Sequence, residues 1–157
     1  MNPNAEIIER FYSCFQKLDG DGMAQCYHEN IVFSDPVFPE LRGKQAGAMW
    51  KMLCSQAREF ELTFGDIQAD ATNGSAHWEA KYLFSTTGRK VHNKINASFR
   101  FQDGKIIQHH DRFHFWTWSF MALGTVGLLL GWSPLIKNNV RKQAAKNLEK
   151  FISKQKM

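Results

Sequence analysis

A chain of 157 residues, 43% hydrophobic and 22% charged, with 13 Phe, 5 Trp and 3 Tyr, has room for one ordinary domain and enough apolar material for its core. That composition excludes a multidomain machine and a disordered or collagen-like chain. The net charge of +5 arises at one end: from Lys137 onward seven basic residues face Glu149 alone, whereas residues 1–136 carry thirteen basic and fourteen acidic side chains. No basic body tracks a phosphate backbone, so no nucleic-acid partner is expected.

In chain order, Ile7, Ile8, Phe11, Phe15 and Leu18 recur at helical spacing after Pro3 and predict a first helix over about 4–18, stopped by Asp19-Gly-Asp-Gly22. A short second helix should carry Met23, Cys26 and Tyr27. Ile31-Val-Phe33 reads as a brief strand ended by Ser34-Asp35-Pro36, and Ala46, Met49, Trp50 and Leu53 mark a third helix. Cys14, Cys26 and Cys54 are odd in number, lack metal-ligand spacing and predict a reduced, cytoplasmic protein. The amino-terminal stretch has no basic region before an apolar run, so no secretory signal is expected there.

From 59 to 116 the pattern changes to β-rich runs broken at Asp70 to Gly74, Thr87-Gly88 and Gln102-Asp103-Gly104, which predicts a four-stranded antiparallel meander. Trp78, Ala80, Tyr82 and Phe84 share one face, opposite His77, Glu79 and Lys81. A two-residue Thr-Gly turn pairing Thr86 with Arg89 brings Val91, Asn93, Ile95, Ala97 and Phe99 onto the apolar face. A three-residue turn with Gly104 left-handed then adds Ile107, His109, Asp111, Phe113 and Phe115.

Four residues on that face are polar: Tyr82, Asn93, His109 and Asp111. Burying a carboxylate costs several kcal/mol unless it is paired or protonated, so Asp111 beside His109 reads either as an acid/base pair in a pocket or as a structural hydrogen-bonded pair. Asp35 continues the Ile31, Phe33 alternation and either points inward at the strand end or starts an Asp-Pro turn. Asp35, His109, Asp111 and Tyr82 are thus the candidate catalytic residues, with Trp78, Phe84, Asn93, Phe99 and Phe113 as a ligand-binding wall. His109 and Asp111 supply two ligands where a metal site takes three or four, so neither a metal nor another cofactor is expected.

The layout over residues 4–116, with Phe33-Ser-Asp-Pro-Val-Phe-Pro-Glu-Leu-Arg-Gly43, Thr87-Gly-Arg-Lys-Val-His-Asn93 and Phe99-Arg-Phe-Gln-Asp-Gly-Lys-Ile106, resembles the nuclear transport factor two-like superfamily of SnoaL-like and ketosteroid isomerase-like proteins. His109-His-Asp-Arg-Phe-His-Phe-Trp-Thr-Trp118 and Gly131-Trp-Ser-Pro134 resemble a bacterial subgroup of it, although that subgroup often has Asp where His114 stands. The resemblance implies an α+β cone, a curved antiparallel sheet wrapped around N-terminal helices, in a single domain 1–157 with the cone over 4–116. It also implies a small apolar ligand and a homodimer through the convex sheet face, where His77, His92, His110 and His114 lie beside Trp116 and Trp118. The isomerase's general-base aspartate matches Asp35 in Asp-Pro-Val, its oxyanion-hole tyrosine matches Phe11, which would instead line the pocket, and its protonated aspartic acid matches Ala97. Ordinary ketosteroid isomerisation is therefore not expected. Related epoxide hydrolases bridge two aspartates with an inward arginine, and Arg112 has the wrong parity for that. What remains is a cofactor-independent isomerase, cyclase or dehydratase acting on an apolar carbonyl compound, or a non-catalytic ligand-binding or protein-interaction module.

Ser119 to Trp132 has 14 residues and three glycines, too short for the ~20 that span a bilayer. Beyond it Val140, Ala144, Leu148, Phe151 and Ile152 form one stripe of an amphipathic helix to about Lys154. The preceding apolar run needs covering, so this helix is expected on its own domain rather than on a membrane, with Phe120, Met121, Leu128 and Trp132 capping the cone beneath it.

Overall fold

The computed structural model describes residues 2–155. Helix α1 (Pro3–Gln16) begins where the Asn2 side chain accepts from the Asn4 amide and Pro3 occupies the first turn, in which a missing N–H leaves nothing unpaired. It ends two residues earlier than the apolar spacing predicts, because Leu18 turns to a φ of 56° and the amides of Leu18 and Asp19 bond back to Phe15 and Cys14. Asp19 then caps α2 (Gly20–Gln25) by accepting from the Gly22 amide.

Tyr27, expected in that second helix, instead opens β1 (Tyr27–Ser34), followed by β2 (Leu41–Arg42), α3 (Lys44–Gln56), β3 (Glu61–Ala69), β4 (Asn73–Phe84), β5 (Arg89–Gln102) and β6 (Lys105–Arg112). The meander β3 to β6 is antiparallel as expected, and β1 adds to it in parallel beside β6, giving a six-stranded curved sheet in the order β2-β1-β6-β5-β4-β3. Helix α1 rests against β3, β4 and β6 and α3 against β1. Between helices and sheet lies one aromatic core that includes Phe11, Tyr12, Phe33, Trp50, Trp78 and Phe99.

Both hairpins reach the expected facing by a different route. Phe84, not Thr86, stands opposite Arg89, so the connection has four residues and the register is shifted by two, which leaves the faces unchanged. At the next turn Gln102 pairs with Lys105, and Asp103 and Gly104 are both left-handed, at φ 54° and 73°. This two-residue turn points Ile106 inward, where it is fully buried. A bulge then intervenes, since Phe101 pairs with Ile106 but Arg100 with Gln108, and the extra residue Ile107 returns His109 and Asp111 to the inner face.

Strand β6 ends at Arg112, before the expected 116, because the His114 side chain accepts from the Thr117 amide and starts α4 (Phe115–Leu123). Helices α5 (Thr125–Leu130) and α6 (Pro134–Gln155) follow. Helix α6 packs on α3 and sets buried Leu148, with Ala144, Phe151 and Ile152, on the main core. The expected cap is different: Phe120, Leu128 and Trp132 are 43%, 46% and 69% exposed, and Phe115, Trp118 and Ala122 form the buried cluster with Val91. Glycines explain the inversion, since Gly127 and Gly131 are the residues that α5 and the following turn press against Ser119. Truncating the anchor of α6, Leu148→Ala, should cost about 2–4 kcal/mol in urea unfolding, with a smaller loss showing that α6 contributes little to the core.

Candidate functional site

The inner face carries an uninterrupted chain of hydrogen bonds. The Trp50 indole N–H donates to the Tyr27 hydroxyl at 2.8 Å, that hydroxyl meets His109 Nδ1 at 2.7 Å, and His109 Nε2 meets Asp111 Oδ1 at 2.9 Å. Counting donors fixes the protons: Tyr27 already accepts from Trp50 and has no other acceptor for its own hydrogen, so it donates to Nδ1. A neutral His109 then carries its proton on Nε2 and donates it to Asp111. The Trp78 indole lies 3.4 Å from the same carboxylate oxygen. His109 is fully buried between Phe99, Phe33, Phe11 and Trp50, at ring separations of 4.5–6.1 Å.

Asp35 sits at the end of β1, where its Oδ1 accepts from the amides of Val37 and Phe38 at 2.7 and 2.6 Å. It is both of the things expected of it, a turn former and a partly buried acid. Removal from water pushes its carboxyl up to about 7, with the negative charge of Asp111 adding to the shift and the two amides and Arg141 opposing it. Tyr82 is pushed up to about 12, chiefly by burial, relieved by the Trp118 indole N–H donating to its oxygen at 3.0 Å and raised again by Asp35. The Tyr12 hydroxyl is buried without a hydrogen-bond partner, and burial followed by the Asp111 charge holds its pKa well above the usual phenol value.

Asp111 thus acts on Asp35 and Tyr12, and Asp35 on Tyr82, through an interior that is filled with rings. Phe11, Trp78, Asn93 and Phe99 are all buried within it. One open cavity of about 700 Å³ lies at the rim, where Phe60, Tyr82, Val91 and Met121 contribute apolar surface and Glu59, Glu61, Lys81 and Lys90 charges of both signs. Phe84 and Phe113 belong to the small cluster beside it. Among the described residues no three His, Cys, Asp or Glu side chains converge as a metal site would require.

Tyr27 and Trp50 of the chain, and Tyr12 beside it, are absent from the sequence-derived set. Tyr12 and Trp50 lie on helices whose apolar stripes absorb them, and Tyr27 was placed on a helix. On the convex face Glu79 bridges His77 and His92 at 2.9 and 2.8 Å, and His110 meets Ser34. Trp118, assigned to that face from sequence, is instead buried against Tyr82 and Phe84, because α4 folds over the sheet edge.

Residues 8–109 match the model of the SnoaL-like domain, and the chain belongs to this family, within the nuclear transport factor two-like superfamily. Solved structures share the fold. A LEH-like epoxide hydrolase from M. tuberculosis superposes with a TM-score of 0.63 at 20% identity, covering 85% of this chain and 95% of its own. A protein from Catenulispora acidiphila with a ketosteroid isomerase-like fold, in complex with trimethylamine, gives 0.65 at 8% identity, covering 74% and 92%. TerC, co-crystallised with polyporic acid, gives 0.61 at 17% identity, covering 72% and 92%. No curated protein matches the sequence.

Tyr27→Phe should strand the Trp50 N–H and His109 Nδ1 in a dry core and cost about 2–4 kcal/mol in urea unfolding, whereas a cost under about 1 kcal/mol would mean the chain is not tightly made. Asp35 gives a pH signature. Its folded pKa lies above its unfolded one, so the unfolded state binds fewer protons between about pH 4 and 7 and stability falls as pH rises through that window. Asp35→Asn, which retains an oxygen for both amides, should therefore raise Tm relative to the native chain at pH 8 and lose that advantage near pH 4. An equal Tm difference at both pH values would contradict it.

Proposed function

We propose that this SnoaL-like protein binds a small apolar carbonyl compound and moves a proton on it without a cofactor, as an isomerase, cyclase or dehydratase. The observation that carries the reading is Asp35: a half-buried carboxyl at the end of β1, poised near neutrality and within electrostatic reach of Tyr82 and Asp111. As base, its carboxylate would take a proton from the carbon next to the carbonyl; isomerisation returns that proton to another carbon of the same molecule, cyclisation to the oxygen of the carbonyl attacked, and dehydration to the departing hydroxyl, which leaves as water. Tyr82 is the donor for the carbonyl oxygen. Its own oxygen accepts from Trp118, which leaves the hydroxyl proton available to donate and offsets part of the rise that burial imposes on it.

The isomerase comparison supports this arrangement from neighbouring positions. Ala97, at the site of the missing aspartic acid, is the cross-strand partner of Asp111, and Phe11, at the site of the missing tyrosine, is followed by Tyr12 with its unpartnered hydroxyl. His109 orients Asp111 as a positioning residue. Phe84, Phe113 and Val91 would meet the ligand first, with Asn93, Trp78, Phe99 and Phe11 behind them. Self-association through the convex sheet face and residence in a reducing, cytoplasmic compartment complete the proposal, the latter supported by three free cysteines.

The filled interior favours the second reading, a non-catalytic ligand-binding or protein-interaction module. Exchange in D₂O separates the two. A panel of apolar enolisable ketones, followed by proton NMR, should show α-proton exchange catalysed by the native chain, slowed about 100-fold or more by Asp35→Asn and about tenfold or more by Tyr82→Phe. Ketones that bind by calorimetry but exchange no faster than in buffer would leave the binding module as the function.

A further inference from the structure

Helix α5 is built inside out. In an ordinary surface helix the large apolar residues face the protein. Here Gly127 faces it, so closely that a Cβ there would stand 1.9 Å from the Ser119 carbonyl oxygen, and Gly131 packs on the Ser119 side chain. The large residues point away: Val126, Leu128, Leu129, Leu130, Trp132 and Leu135 are between 45% and 69% exposed. Scattered exposed leucines need no explanation, but six large exposed apolar residues within ten positions, over one short helix, the turn after it and the start of α6, mark a surface that something covers.

At its carboxyl end the backbone of the ridge is satisfied by the protein itself. The last four carbonyls of a helix ordinarily rely on solvent. In α5 all four have protein partners: Gly127 accepts from the Gly131 amide, Leu128 from the Trp116 indole at 3.0 Å, Leu129 from the Trp132 indole at 2.8 Å and Leu130 from the Ser133 amide. Two exposed indoles thereby hide their polar N–H groups as well. Such satisfaction is what insertion into hydrocarbon demands, since each unpaired group there costs several kcal/mol.

Charge selects the occupant. Between Asp111 and Glu149 the chain has no acidic side chain; of its basic ones Arg112 lines a groove on the sheet with Asp66 and His77 and Arg141 donates to the Pro36 carbonyl, which leaves Lys137, Lys142 and Lys146 on α6. Arg89 adds a further cation at the foot of the ridge, where its Nε donates to the Met121 carbonyl. A second copy would oppose like charges across the contact, whereas anionic headgroups complement them. The sequence-level expectation against a membrane rested on the apolar run being covered by α6, and the ridge is left uncovered.

We infer that the α5 ridge is a membrane-docking element that lies in the surface of an anionic bilayer, inserting Leu129, Leu130 and Trp132 while the basic start of α6 meets the headgroups. Among the described residues no helix is long and apolar enough to cross a membrane, so the attachment is to one leaflet.

Vesicle flotation with the full chain tests it, using phosphatidylcholine alone and phosphatidylcholine with about 30% phosphatidylglycerol. Partition onto the anionic vesicles should be at least about tenfold stronger than onto neutral ones, and should fall about fivefold or more in ~0.5 M salt. The double variant Leu129→Gln/Leu130→Gln, which alters only exposed side chains, should lose about tenfold in partition at unchanged Tm. Lipids brominated in the upper acyl chain should quench indole fluorescence of the native chain but quench that of Trp132→Phe less, a readout that does not depend on the double variant folding. No partition at millimolar lipid, or equal partition onto both vesicle types, would overturn the proposal. So would a dimer in sedimentation that the double variant dissociates while vesicles bind nothing, since the ridge would then be a contact between copies.

Discussion

A neutral histidine held between a phenol and a carboxylate is the interaction on which the arrangement of this protein depends. His109 takes its proton count from Tyr27 on β1 and passes a hydrogen bond to Asp111 on its own strand, while Trp50 on α3 donates into the same chain. Three parts of the fold are therefore fixed to one another at the centre of the core, where no water can substitute for a missing partner. An apolar core of equal volume would be as stable, but it would tolerate sliding of α3 over β1, because apolar contacts have little direction. A directional chain with each member satisfied rejects such shifts, since any one of them leaves a buried polar group unpaired.

That chain needs the bulge at Ile107. The two-residue turn after Gln102 would, in an unbroken ladder, send His109 and Asp111 to the outer face along with every other odd position of β6. One additional residue reverses the parity midway along the strand, so Ile106 and His109 both point inward. The carboxylate of Asp111 thereby becomes a fixed negative charge inside a largely apolar volume. Its field reaches Asp35, Tyr12 and Tyr27, and in each case it opposes ionisation in the same direction as burial does. The raised pKa of Asp35 is thus chiefly a consequence of burial, to which the Asp111 charge adds.

These features differ in how far they can be read from sequence, and the difference is physical. Alternation in β4 and β5 is strict because one face is dry and the other wet, so Trp78, Asn93 and Phe99 can be placed by parity alone, whereas His109 and Asp111 on β6 depend on the turn and the bulge as well. Tyr27 and Trp50 could not be found that way. A phenol or indole on an apolar stripe looks the same whether its polar atom is idle or bonded, and only the approach of β1 to α3 makes it a partner. The turn after Gln102 was misassigned by one residue and the bulge restored the facing, two local errors of opposite sign that the burial pattern hides. In α5 the usual rule fails outright, because Gly127 and Gly131 let two backbones meet and leave no room inside for the leucines.

The remaining asymmetry concerns access. The main core is closed by Phe11, Phe33, Trp50, Trp78 and Phe99, whereas Tyr82 and Phe84 belong to a smaller cluster closed by Phe115, Trp118 and Ala122 of the neighbourhood of α4. Across that seam the β4–β5 connection is joined to α4 by Thr87 on the Ala122 carbonyl, by Arg89 on the Met121 carbonyl and by the Trp118 indole on Tyr82. Partly exposed hydrogen bonds thus hold α4 over the small cluster of Val91, Phe115, Trp118 and Ala122. Met121 lines the cavity at the rim and stands on the helix that carries α5, so the seam, the cavity and the apolar ridge adjoin. A ligand entering there would meet Tyr82 before the sealed interior, and opening the seam would leave the chain from Trp50 to Asp111 intact. Rigidity and access can therefore coexist in one small fold, because they reside in different clusters.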